Sequence, residues 1–245
     1  MRLTKIWTIT SKDFLIFRTK RSILFSMVGL LIFISIGLPV IIEYVVRKAG
    51  DSASTLLPTL IDAFSFWFVN LAVIIPTSIA SYSIVGEKVE KSLEPLLAAP
   101  VTDEEILMGK SLAAFIPSII SIWAGGIIYM ILINMFSYKT LTYLYYPNWN
   151  IAAILLILGP LVCILSIGYN VIISSRINDI RSAQQLGILI VLPFGLIYVL
   201  KELSIISLSV NNLMIISAIV LIVDIFVFYL VLNTFRRDEI LTKWQ

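Results

Sequence analysis

Histidine is absent from the 245 residues and cysteine occurs once, at Cys163 inside an apolar run. No disulfide, cysteine-ligated zinc, Ser-His-Asp triad or Cys-His dyad can therefore be assembled within one chain. Charge is scarce as well: Asp, Glu, Lys and Arg make up 13% of the chain, about half the share found in soluble domains. Most of the surface thus has no water to face. What replaces charge is hydrocarbon, with 59% hydrophobic residues and a mean hydropathy of +1.00. Disordered, collagen-like and disulfide-stapled classes are excluded, and an all-α integral membrane protein is expected.

A spanning helix needs about 20 predominantly apolar residues, because hydrocarbon cannot satisfy backbone polar groups. Six segments qualify, near 22–46, 64–85, 111–136, 149–175, 186–200 and 213–235, the fifth being the shortest. They are too long and unbroken for the alternating strands of an outer-membrane barrel. All six belong to a single transmembrane domain over residues 1–245.

The basic residues set the orientation. The N-terminal tail, the second and fourth loops and the C-terminal tail hold fourteen of the eighteen Lys and Arg. The positive-inside rule places those segments, and both termini, in the cytoplasm. The net charge of +3 is thereby explained by topology, and no nucleic-acid partner is implied. The first span follows a basic tail but exceeds a signal sequence in length and lacks a small-residue cleavage site, so it reads as a retained helix. Residues 2 to 21, with Leu3, Ile6, Trp7, Phe14 and Phe17 near helical spacing, predict an amphipathic helix along an anionic leaflet. Tyr138, Tyr143, Tyr145, Tyr146 and Trp149 fit an aromatic belt at the headgroup layer. Prolines 39, 76, 117, 160 and 193, one in each of the first five spans, free carbonyls and permit kinks.

Residues 86 to 110 hold six of the fifteen acidic residues and form the one long cytoplasmic loop. Ser92 caps a short helix that tolerates Pro95 in its first turn, and Leu93, Leu96 and Leu97 form its apolar face. Pro100 ends it. Thr102 with Glu105 is a capping box, and Asp103, Glu104 and Glu105 place negative charge at the start of the helix leading into the third span. The expected product is a helix-break-helix elbow, either a plain connection between two spans or a surface for a soluble partner to grip.

Glu87-Lys88, Ser92-Leu93-Glu94-Pro95-Leu96-Leu97, Pro100-Val101, Glu105-Ile106-Leu107 and Gly109-Lys110 together resemble the cytoplasmic motif of the type-2, exporter-like permeases of ATP-binding-cassette (ABC) transporters. The stretch Ser174 to Leu186 resembles that family's loop between spans four and five, and Phe235 to Leu241 its usual ending. Together with the six-span plan, the resemblance covers nearly the whole chain. Only Arg47 to Ala63 separate the first two spans, whereas some sodium-export-type members carry a large extracellular domain there. The chain thus resembles a compact member, and a sodium substrate is not supported.

The resemblance implies a permease subunit in the cell membrane, partnered by separate ABC ATPase subunits and by a second permease subunit, identical or a sister. Gly109-Lys110-Ser111 is not a phosphate-binding loop, since position 104 is Glu where glycine is required. Nucleotide hydrolysis, with its ATP and magnesium, is accordingly expected on the partner, and this chain is expected to bind no cofactor or metal and to be no enzyme. Family position implies that Leu93, Glu94, Leu96 and Leu97 form the coupling helix, with Glu87 and Lys91 at its base and Arg176, Asp179 and Arg181 as second contacts.

Asp224 is the one acid deep inside a span, where a charge costs roughly 2.5–3.5 kcal/mol on insertion scales. It serves either the pathway or an interhelical bond, as do Asn70 and Asn134. A gradient-driven secondary transporter or channel using Asp224 is the alternative reading, but it predicts inverted repeats or several buried acids, and the sequence shows one such acid and no evident repeat. An intramembrane enzyme would need a paired nucleophile and base, or facing carboxylates, within the spans, and none occurs. The apolar, aromatic spans suit a hydrophobic or amphiphilic cargo better than a bare ion.

Overall fold

The computed structural model describes residues 3–19, 21–49, 53–89, 101–203 and 205–234. Among these the chain is helical, with no strand. An N-terminal helix, α1 (Leu3–Thr19), precedes six helices long and apolar enough to cross a membrane, the architecture of a multi-pass membrane protein. These are α2 (Met27–Lys48), α3 (Ser54–Val89), α4 (Asp103–Leu141), α5 (Trp149–Arg176), α6 (Ile180–Glu202) and α7 (Val210–Leu232).

Three boundaries differ from the sequence expectation. Helix α3 starts at Ser54 rather than Phe64, because a helical stretch at Ala53–Ser65, with Pro58 inside it, occupies most of the first loop. Helix α6 covers Ile180–Glu202 rather than 186–200, capped at its start by Asp179. Helix α4, at 39 residues, is about 58 Å long at 1.5 Å per residue and projects well beyond a hydrocarbon core of about 30 Å. The Thr102–Glu105 capping box forms in both directions, at 3.2 and 3.1 Å, and starts α4 as expected.

Helix α3 is the centre of the bundle. Its apolar stretch is 83% buried, against 17% for α6 and 22% for α7. Helix α5 lies along it, and the two are joined by small polar side chains: Thr77 and Ser166 are 2.7 Å apart, Ser166 donates to the Val73 carbonyl, and Ser81 donates to Asn170 Oδ1, which also accepts from Ser174 within α5. Short hydroxyls let two helix backbones approach closely while satisfying each other in a medium without water. Gly187 of α6 closes over this column, where a Cβ would collide with Asn170 and Thr77. Asn70 is buried in α3, its side-chain oxygen without a hydrogen-bond partner among the described residues.

Two prolines expected to permit kinks sit just after wide turns. In α2 and α5 the backbone widens to i→i+5 hydrogen bonding over Phe33–Gly37 and Ile154–Leu158, directly ahead of Pro39 and Pro160. A proline lacks its N–H and crowds the preceding turn, and widening that turn relieves the crowding.

Candidate functional site

One end of the bundle, where α1 packs on the beginning of α4, gathers nearly all the buried charge. Helix α1 reaches α4 through a glycine: a Cβ at Gly109 would stand 2.8 Å from Ile9 Cβ, and Thr10 donates to the Gly109 carbonyl at 3.0 Å. Ile6, Ile9 and Phe17 are buried, whereas Leu3, Trp7 and Leu15 are exposed. The apolar face predicted to lie along lipid is therefore split, and half of it docks on protein. Periodicity identifies an apolar face without identifying what covers it.

Next to this contact lies a four-charge node. Lys110 Nζ is 2.6 Å from Glu87 Oε2 and 3.6 Å from Asp13 Oδ2, and Lys12 Nζ is 2.7 Å from Glu87 Oε1. Ser83 donates to Asp13, and Lys110 also donates to the Ser83 carbonyl at 2.7 Å. Two acids and two lysines balance, which is how charge survives burial. Burial pushes the Asp13 carboxyl above the usual carboxylate range, opposed by Lys110 and the Ser83 hydroxyl. The node ties α1 to the end of α3 and the start of α4, the two helices that flank residues 90–100.

Lys88 makes a second junction. Its ammonium is buried and donates to the carbonyls of Ser174, Ser175 (3.1 Å) and Ile177 (3.5 Å) at the end of α5. Orphan carbonyls and the negative end of the helix dipole both favour a cation there. The end of α3 thus holds α1 and α4 through Glu87, and α5 through Lys88.

Of the residues assigned to ATPase coupling, Glu87 is buried with its carboxylate held by Lys12 and Lys110, so its side chain ties α3 to α1 and α4. Lys91, Leu93, Glu94, Leu96 and Leu97 lie outside the described residues. Arg176, Asp179 and Arg181 are exposed at the end where Lys88 sits. Asp179 caps α6 by accepting from the Ser182 backbone at 2.8 Å and from its hydroxyl at 2.7 Å, bonds that hold its carboxyl below the usual range.

Asp224 lines an apolar cavity of about 290 Å³ between α4, α5 and α7. It is 7% exposed, and neither carboxylate oxygen has a hydrogen-bond partner among the described residues. The interhelical bond open to it on sequence grounds is not made. Asn134, by contrast, is fully used: it donates to the Tyr146 carbonyl at 2.8 Å and accepts from the Tyr146 N–H at 2.9 Å. This pins the α4–α5 connection at the far end of the bundle. Tyr146 is buried there against Tyr129 and Tyr145, and burial raises its hydroxyl pKa well above the ordinary value. Tyr146 is therefore core and not belt, while Tyr138, Tyr143 and Trp149 are exposed as a belt requires.

Among the described residues no group of three or more acids, cysteines or histidines converges on a metal position. No protein-family model matches the chain, and no curated protein matches it.

In the sequence Lys12 counts among the charges of the N-terminal tail and Lys88 and Lys110 among those of the second loop, and nothing there singles out Asp13 or Ser83. One signal was available: Lys110 stands two turns inside a helix that continues as apolar sequence, and a charge in that place needs a partner.

Proposed function

We propose that the chain is the membrane-spanning permease subunit of an ABC exporter, forming half of a pathway and driven by a separate cytoplasmic ATPase. The observation that carries this reading is the Glu87–Lys110 pair at 2.6 Å, which clamps the two ends of the segment resembling the family's coupling motif. A load received by Leu93, Leu96 and Leu97 passes into α3 and α4 together. Through Lys12 and Asp13 it takes α1 along, and through Lys88 it reaches α5. A slack connection between two spans needs no such bracing.

In the mechanism this implies, ATP binding draws the ATPase subunits together and displaces the elbow. The helices bound to it tilt as a unit against α6 and α7, and the pathway changes the side to which it opens. Arg176 and Arg181 offer exposed charge to the ATPase next to the elbow. A second reading, a gradient-driven transporter, draws on the unpartnered Asp224.

Affinity capture from native membranes in mild detergent separates the two. An ABC ATPase that accompanies the wild type and is lost from a Leu96→Asp, Leu97→Asp variant supports the permease. Its absence from both captures, in membranes where it is expressed, favours the gradient-driven transporter.

A further inference from the structure

The cavity around Asp224 has the chemistry of a binding site. Its walls are mostly hydrocarbon, from Leu107, Phe115, Ile167 and Val227 among others, with the Ser111 hydroxyl, and Asp224 is the one ionisable residue in its lining among the described residues. Its volume of about 290 Å³ is near the lower end of small-molecule pockets, roughly 300–1,000 Å³. Gly168 keeps the back wall thin, since a Cβ there would stand 2.9 Å from Val227 Cγ1.

A carboxylate in such surroundings must take a proton or meet a cation. Asp224 is more than nine-tenths buried, and among the described residues neither of its oxygens meets a donor. Lys110, the nearest ammonium along the α4 wall by sequence, is committed to Glu87 and Asp13. A proton alone would neutralise the carboxyl and still leave its buried oxygens without a hydrogen-bond partner. Met108, Leu112, Ile164 and Phe228, which line the cavity, are all more than a third exposed on the outer face of the bundle. The opening therefore faces sideways, toward acyl chains, and gives entry to a molecule already dissolved in the membrane.

We propose that the cavity between α4, α5 and α7 binds a long-chain primary amine, its ammonium on the Asp224 carboxylate and its alkyl chain along the apolar walls. A primary ammonium brings three N–H donors to an acceptor-only carboxylate, and a charge-assisted bond in a dry pocket is the strong kind. An anionic amphiphile would set like charges together, and an alcohol would bring a single neutral donor. The site rests on Asp224 and the cavity alone and does not require the ATPase.

The test is binding of radiolabelled dodecylamine to the purified full chain in phosphatidylcholine nanodiscs, with empty nanodiscs as background. Saturable binding near one per chain is expected, displaced by unlabelled dodecylamine and not by dodecanol. Asp224→Asn is expected to weaken it by about tenfold or more, the size of one lost charge-assisted contact. Asp224→Glu is expected to keep most of it, and Leu112→Trp, which fills the mouth and leaves the carboxylate, to abolish it. Dodecanol competing as well as dodecylamine on the wild-type chain would overturn the proposal, whatever the variants do. So would no saturable binding above empty nanodiscs, or unchanged affinity in a folded Asp224→Asn chain.

Discussion

Replacing Lys110 with Met removes the cation that Glu87 and Asp13 share and leaves the shape of the helix contact nearly intact. Lys110 is 3% exposed, Asp13 2% and Glu87 6%. Glu87 retains Lys12 at 2.7 Å, but Asp13 is left with the Ser83 hydroxyl and the weaker field of Lys12. Removing one partner of a buried pair strands a charge and costs about 3–5 kcal/mol, whereas an exposed pair is worth about 0–1 kcal/mol. Lys12, 41% exposed, softens the loss at Glu87, so the lower half of the buried range is expected. The assay is unfolding in mixed micelles of rising SDS fraction, followed by far-ultraviolet circular dichroism, on Lys110→Met, Asp13→Asn and the double variant. If the stranded Asp13 charge is the main cost, the double variant recovers more than half of the single-variant loss. A Lys110→Met loss within about 1 kcal/mol would be that of a surface pair and would show that the node does not brace α3 against α4.

Other consequences are measurable in the same preparation. Asn134→Ala breaks both hydrogen bonds to the Tyr146 peptide and is expected to cost about 1–3 kcal/mol in the unfolding midpoint. Gly109→Ala puts a methyl 2.8 Å from Ile9, with an expected cost of about 1–3 kcal/mol from overpacking and faster proteolysis of α1. Because burial holds the Asp13 carboxyl above its unfolded value, the folded state binds the extra proton. Its contribution to stability is full below the unfolded pKa of 3.8 and is lost as pH rises through the folded value. Stability profiles of wild type and Asp13→Asn should therefore converge at low pH and separate as pH rises, with the wild type falling faster, and parallel profiles would refute this.

The spans were legible because hydrocarbon imposes length and apolarity on every crossing helix, a constraint that can be read residue by residue. The helical stretch at Ala53–Ser65 was not, since Ser54, Thr55, Pro58, Thr59 and Asp62 interrupt the apolar run, and its packing on the bundle decides its conformation. The Thr102–Glu105 box was legible because capping is local. The node was not: Lys12 and Glu87 are 75 positions apart, and nothing local marks them as partners. Tyr145 and Tyr146 are adjacent aromatics in one loop, yet only Tyr146 is fully buried, by contacts with Tyr129 that belong to the fold and not to the loop. Asp224 stood out in sequence as an acid in hydrocarbon, but the cavity beside it exists only once α4, α5 and α7 are assembled.

The most direct test of the central claim is a contact map of the elbow in native membranes. The photoreactive residue p-benzoylphenylalanine is placed at position 97 in place of Leu97, and at position 143, in the loop at the far end of the bundle, in place of Tyr143. After illumination the cross-linked products are identified by mass spectrometry. An ABC ATPase joined through position 97 and none through position 143 is the expected result. Cross-links from position 97 to lipid alone, with the ATPase expressed in the same membranes, would contradict it.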